Sequence, residues 1–544
     1  MIAAVVSTFV LVMLAALALA GPAAATTWCV PAFHAACPDN GTNVQEINLK
    51  FAMESQGDDG IADRIFIKEG ILSFPGPLNP VPGTFSEDPL EVIGAGAAET
   101  KLTLDTGGNV FVVNLSGNNF SRPVTMRDLT ILVPPESGGF SSNALQTTED
   151  VFERVNFESL DSATGSGANA VSIINGGVFR DVKVFGTAGG SFARVFNTGN
   201  SFPGDELVIT DSVVTDSTSG ITDFLPSVLP VTISRSHFQV NGQVVSAGDG
   251  DTVTVENSII EAGEFTPFFS FTNDAESSSL ILRNNTIVNL GGAGIAIRSA
   301  VGPAATGSAS TIVRDSIIVG FSNTWDLKAP VSGSLGDANL DLAYSNVSSS
   351  GTKVGDGTLS ATVGVIDETP LFAGFNDFHL TAQSPSIDAG DPAAGGLSDD
   401  FEGNLRPLDG NGDGSAVRDQ GAYEAPAAPP NCVTDPSFCP DQTGPKVTRV
   451  KFTHGRSPKR GGKLRLKVNE ASSVKVVFKP TPAGKGKKKR KVVKFSRRTG
   501  RAAGVSIKIR KGKLRPGRYR LTIKAVDDSG NRSKAVVRKV KVKK

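Results

Sequence analysis

The chain has 544 residues, room for two or three domains and a large core, and its even balance of 54 basic and 54 acidic residues hides a division. From Pro445 to Lys544 there are 36 Lys and Arg against three acids, Glu470, Asp527 and Asp528, a charge of +33 that leaves −33 on everything before it. Three tyrosines and two tryptophans argue against a surface built for stacking on sugars, whereas 60 glycines and 31 phenylalanines suit a tightly coiled, aliphatic and Phe-rich interior.

Residues 1–25 read as a secretory leader. Ile2 to Ala20 is apolar but for Ser7 and Thr8, and Ala23 and Ala25 form a small-x-small cleavage site. No Lys or Arg precedes the apolar run, whose length of about 20 residues also suits a retained anchor; an uncleaved leader is the one route to a membrane. Cys29 with Cys37 and Cys432 with Cys439 are close pairs, read after a leader as two small disulfide loops. A zinc site is discounted, because the pairs lie far apart and neither is CxxC. Thr42 to Met53 is predicted to be a short helix, capped by Thr42 and Gln45, with Val44, Ile47 and Phe51 on one face, a lid for the open end of a stacked domain.

From Val124 to Val347 one pattern recurs nine times, clearest in VTVENSIIEAG from Val253, LILRNNTIVNLG from Leu280 and TIVRDSIIVGF from Thr311. The bend residues are Asp128, Arg154, Asp181, Asp211, Arg235, Asn257, Asn284, Asp315 and Tyr344, about 27 residues apart, the period of a solenoid. Two places before each bend and three places after it the residue is always apolar, from Met126 and Ile131 to Leu342 and Val347. Short β-branched runs on either side of a polar bend are strands. No copy buries its own apolar face, so the copies stack around a shared interior. Asp or Asn at six of the nine bends suits a tight turn and predicts a polar ladder there. DRIFIKEGIL from Asp63 and PLEVIGAGAAETKLTLD from Pro89 read as the first coils. Together, residues 40–390 resemble right-handed parallel β-helix proteins of the pectate-lyase-like class, and right-handed coiling is the default for parallel crossovers. That class holds lyases, glycosidases, tailspikes and non-catalytic surface proteins, so it implies a fold and no single activity.

Residues 26–370 are thus assigned to the β-helix and its cap. Residues 371–424 come next, with DFHLTAQSPSIDAGDP, RPLDG and DQGAYE. These motifs resemble the choice-of-anchor Q domain of exported bacterial surface proteins, and the segment is expected to close the helix. Residues 425–445 form a Pro-rich linker. Residues 446–544 alternate in period two through KLRLKVNEA, VKVVFKPTP, VSIKIRKG and VVRKVKVKK, a small β-sandwich. Within it, PGRYRLTIKAVDDSGNRS resembles the last strands of bacterial Ig-like domains. The fold class is all-β: a right-handed parallel β-helix followed by an Ig-like sandwich.

Asp409, Asn411 and Asp413, followed by Gly414, have the spacing of a calcium loop. Gln420, with Asp419 beside it, stands where a bidentate Glu belongs, and an Asp/Gly-rich turn is the plainer reading. Calcium is the one cofactor raised. A lyase or hydrolase needs paired carboxylates or a cation near the scissile bond. Asp249 and Asp251 with Arg235 and His237 one coil earlier are the candidates, but coil bends are where solvated charges belong. Arg127, Arg180, Arg283 and Arg314 share a column just before the bend, interrupted by Glu153 and Glu256, and read as ordinary ladders. No catalytic residue is assigned.

The densest basic run spans Lys485 to Arg501, with Lys485, Lys487, Lys488, Lys489, Arg490, Lys491, Arg497 and Arg498 as polyanion-binding candidates. The expectation is an exported, surface or extracellular scaffold without catalysis, tethered by its basic domain to an anionic cell-wall polymer or acidic polysaccharide. Export makes nucleic acid incidental. The alternatives are a polysaccharide lyase or glycosidase working in a groove on the rod, and a glycan-binding module without turnover.

Overall fold

The structure is a computed structural model. It describes residues 26–46, 48–55, 61–79, 88–105, 111–115, 123–135, 143–160, 169–174, 176–187, 192–198, 206–223, 230–292, 294–331, 335–348, 350–360, 363–393, 396–428, 444–454, 461–481, 490–499, 502–527 and 531–543. The leader, Cys432, Cys439, Lys485, Lys487, Lys488 and Lys489 lie outside these residues. Two compact units are formed, one of residues up to Asn411 with Ser415–Ala428, the other of Pro429–Lys544 with Gly412–Gly414.

The first unit is a parallel β-helix of about nine turns. A coil runs through a strand, the bend, a second strand, and then a strand of a separate ten-stranded parallel sheet before rising to the next coil. The two apolar columns are stacks of direct register partners. Met126, Phe152, Phe179, Ile209, Ile233, Val255, Leu282, Val313 and Leu342 pair in sequence up the rod. Ile131, Phe157, Val184, Val214, Phe238, Ile260, Ile287, Ile318 and Val347 do the same after the bend. None of the eighteen is more than 3% exposed. Phe152 and Phe179 stack with ring centroids 4.9 Å apart, and Phe196 meets Phe179 edge-on at 5.1 Å.

All nine bend residues have positive φ, between 44° and 60°. A left-handed residue turns the chain sharply between two strands, and Asp and Asn tolerate it best. Gly94 serves close packing in an early coil: a Cβ there would stand 2.1 Å from the carbonyl oxygen of Asp128.

In the predicted bend column Arg154 pairs with Asp128 and Arg235 with Asp211 one coil earlier, and a more continuous polar ladder stands one residue beyond it and points inward. Ser212, Ser236, Ser258, Asn285, Ser316 and Ser345 are almost wholly buried. In each the side-chain oxygen accepts the backbone N–H one coil earlier, as where Ser258 N–H donates to Asn285 Oδ1 at 3.0 Å. The serine hydroxyls donate to the carbonyl two residues back, and Asn285 Nδ2 donates to Val255 O at 2.7 Å. The bend interrupts strand hydrogen bonding, and this ladder satisfies amides that would otherwise be buried unpaired.

At the N-terminal end the predicted helix is shorter and starts later. Val44 and Gln45 form a parallel strand against Trp28 and Cys29. The helix is Leu49–Glu54, capped by Asn48, whose side chain accepts Lys50 and Phe51 N–H. Its buried residues are Leu49, Ala52 and Met53, which join the rod's core, while Val44 and Phe51 are exposed. Strand pairing claimed residues 44–45, and Asn48 is the N-cap in place of Thr42. Cys29 and Cys37 are disulfide-bonded.

The second unit packs two antiparallel sheets as a small β-sandwich. Strands Val447–His454, Gly462–Val468 and Ala503–Ile509 form one sheet. Strands Val493–Thr499, Ser472–Pro480, Gly517–Val526 and Val536–Val542, in that order, form the other. Leu464, Leu466, Val505 and Ile507 from the first sheet share a core with Val474, Phe478, Tyr519 and Leu521 from the second.

Candidate polyanion-binding face

Strict alternation in the four-stranded sheet sends apolar residues inward and bases outward. Ser472–Pro480 presents Lys475 and Lys479, and Gly517–Val526 presents Arg518, Arg520 and Lys524. Lys539 and Lys541 on Val536–Val542, with Lys494 and Arg498 on Val493–Thr499, complete the outer face. All nine are exposed, and no acid occupies a described outward position on this sheet. A cleft of about 700 Å³ is lined by Lys479, Pro480, Thr481, Arg518, Tyr519, Arg520, Val537, Lys539, Val540 and Lys541. The other sheet is basic outside as well, through Lys451, Lys463, Arg465, Lys467 and Lys508.

The described members of the sequence-predicted run do not form one patch. Arg490 is turned to structure: it donates to Thr481 O and Arg518 O and lies 5.2 Å over the Tyr519 ring. Lys491 is exposed. Arg498 faces outward opposite Ser473, whereas Arg497 is on the inner side opposite Val474. The larger array, from Lys475 to Lys541, was missed by weighing density along the sequence. The signal was there in VKVVFKP, RYRLTIK and VRKVKVK, where the bases of the face recur at even spacings, two or four residues apart.

On the rod, the candidate catalytic groups are held apart and engaged. Arg235 forms a double hydrogen bond with Asp211, at 2.7 and 2.9 Å, and reaches Asp399 at 3.3 Å. His237 meets Glu261 at 2.7 Å. Asp249 and Asp251 lie before strand Thr252–Glu256, at the far end of that strand from the bend. Asp251 accepts Gly248 N–H and Asp249 accepts Asn273 N–H. In the arginine column, Arg180 pairs with Glu153 and Arg314 with Asp341, as ladders do.

The segment 371–424 lies along the bends of the later coils. Asn257 donates to Asp399 O, Asn284 to Asp419 O, and Asp315 accepts Asp391 N–H. Phe378 and Ala422 pack on Ile259. Its motifs are tied by a buried ionic network. Arg406 donates to Asp419 O and Gly421 O and stands 3.6 Å from Glu424, neither side chain being exposed. Asp419 accepts Asp388 and Ala425 N–H, and burial with Glu424 nearby pushes its carboxyl up to about 7. Asp400 accepts Glu402, Asn404 and Glu424 N–H. Among its described residues the segment has no helix or strand, and this network holds it in place.

Around the predicted calcium loop, Gly410, Asn411 and Val417 N–H groups converge on the Asp388 carboxylate. Asp409, Asn411 and Asp413 are each engaged in other interactions. No group of three His, Cys, Asp or Glu among the described residues is placed to hold a metal ion.

His379 sits between Asp377 at 2.6 Å and Glu402 at 3.4 Å and stacks on Tyr423 with centroids 3.9 Å apart. Burial works against its charge, but the two carboxylates outweigh it and hold the imidazole above its ordinary pKa. A groove of about 570 Å³ lies beside Asp216, Gln239, Asn241, Glu261 and Leu290. No known protein family matches the chain, and no curated protein matches it at a significant level. No helix among the described residues is long and apolar enough to cross a membrane.

Proposed function

We propose that the protein is an exported surface or extracellular scaffold: an acidic β-helix that presents its loops, tethered through its basic sandwich to an anionic cell-wall polymer or acidic polysaccharide. The carrying observation is the outer face of the four-stranded sheet, nine bases with no acid among them. A surface of one sign raises the local concentration of an opposite polymer and speeds its capture.

The finer family readings support the same picture. The rod is read as pectate-lyase-like and residues 371–424 as choice-of-anchor Q. The sandwich is read as Ig-like, which the Tyr519 hydroxyl favours by donating back to Arg515 O at 2.9 Å, the geometry of a tyrosine corner. The leader supplies export, and a calcium ion at Asp409, Asn411 and Asp413 would add only rigidity. The non-catalytic reading is favoured by Arg235, His237, Asp249 and Asp251, each occupied by local partners and divided between the bend and the far end of the strand before it.

Retention on isolated anionic cell walls tests the tether. The full chain is expected to be held and then released by salt, and deletion of residues 445–544 to abolish retention. Undiminished retention of the deletion variant would refute it. A screen of acidic and neutral polysaccharides for unsaturated products or new reducing ends is expected to be blank.

A further inference from the structure

The geometry points to a binding subsite for an acidic saccharide, carrying carboxylates on its rings, on the outer face of the four-stranded sheet. This rests on the polyanion reading and gives it a place and a ligand chemistry. Lys479 faces Arg520, and Arg520 faces Lys539, as direct cross-strand partners. One step along, Arg518 faces Lys541. Neighbouring strands lie about 4.8 Å apart and alternate residues about 6.8 Å apart, so five cations crowd two adjacent rows. Like charges directly opposite one another destabilise a sheet. Among the described residues no carboxylate pairs with any of the five. Such rows cost the empty domain stability, and an anionic ligand laid across the strands removes the cost.

Over the same three strands the row on the far side is uncharged: Val477 faces Thr522, and Thr522 faces Val537, which is 36% exposed, while Lys494 on the fourth strand continues the row beyond Val477. A ligand crossing the strands here meets cations along one edge and carbon with a hydroxyl along the other. A uronate ring offers that pairing, a carboxylate at one edge and C–H groups with hydroxyls over the rest. Inorganic polyphosphate has the charge but nothing to set against Val537. Arg518 and Arg520 supply planar forks that match carboxylate oxygens two at a time.

The test uses the full-length protein with polygalacturonate and inorganic polyphosphate, matched in charge concentration at moderate salt. The variant R520Q/K539Q is expected to bind polygalacturonate about tenfold more weakly and, without ligand at low salt, to melt at a higher temperature than the parent. Val537→Ser is expected to weaken polygalacturonate by about threefold and leave polyphosphate unchanged. Lys541→Gln, near the end of the edge strand, moves binding in the same direction by a smaller factor and serves if the double variant fails to fold.

Unchanged polygalacturonate binding by R520Q/K539Q, with loss on neutralising Lys485, Lys487, Lys488 and Lys489, would overturn the subsite and leave the polyanion reading standing. A lower melting temperature for the double variant would overturn the repulsive-row argument. Equal effects of Val537→Ser on both polymers would overturn the saccharide assignment. Failure of the parent protein to bind either polymer would overturn the polyanion reading itself.

Discussion

Arg406 and Glu424, eighteen residues apart in sequence, meet at 3.6 Å with no side-chain surface open to solvent, and so lock RPLDG to DQGAYE. Burial favours the neutral form of each, Arg406 being lowered and Glu424 raised, so the pair holds its charge through mutual attraction and backbone hydrogen bonds. Removing one partner strands the other. Arg406→Met is predicted to cost about 3–5 kcal/mol, and R406M/E424L less than that. Chemical denaturation of the three proteins checks this; a single variant within 1 kcal/mol of the parent (roughly the value of a surface pair) would contradict it.

The inward ladder carries the second prediction. Asn285 both accepts Ser258 N–H and donates to Val255 O. Asn285→Leu leaves two buried backbone groups unpaired, at about 1–3 kcal/mol each. Ser236→Ala removes the acceptor of Ser212 N–H and the donor to Ser234 O but adds none of the bulk of leucine, and is predicted to cost less. Thermal unfolding ranks them, and the reverse order would count against the ladder.

A third prediction concerns pH. Burial pushes the Asp150 carboxyl up to about 7, against the hydrogen bonds donated by the Thr147 hydroxyl and Val124 N–H. The unfolded chain releases this proton near its ordinary carboxyl pKa, so between about pH 4 and 7 the native state binds more protons and stability falls as pH rises. Asp419 acts in the same direction. Asp150→Asn is predicted to match the parent near pH 4 and to exceed it at pH 8, by at most on the order of 4 kcal/mol. A parent whose stability is flat from pH 4 to 7, or a variant less stable at pH 8, would contradict the assignment.

The rod was legible because its period and two apolar columns are direct consequences of stacking. Each of the eighteen residues from Met126 to Val347 is buried, and every bend residue adopts the left-handed conformation. The ladder was not legible because Leu129, Val155 and Val182 occupy its column in the first coils and Ser or Asn only in the later ones. Apolar side chains fill that space where Phe and Leu layers allow, and hydroxyls satisfy amides elsewhere. The helix start was misplaced because strand pairing by Val44 and Gln45 is a tertiary event that a capping pattern cannot register. The position of residues 371–424 along the bends was invisible for a similar reason: Asn257, Asn284 and Asp315 read as turn formers, and their second role depends on what covers them. On the sandwich, counting bases along the chain drew attention to 485–501, whereas the face is assembled across strands.

Salt titration of polymer binding tests the central claim most directly. If the basic sheet is the tether, the log of the parent's affinity for polygalacturonate should fall linearly with log salt, and R520Q/K539Q should show a shallower slope by about two released ions. A salt-independent affinity, or identical slopes for parent and variant, would contradict it.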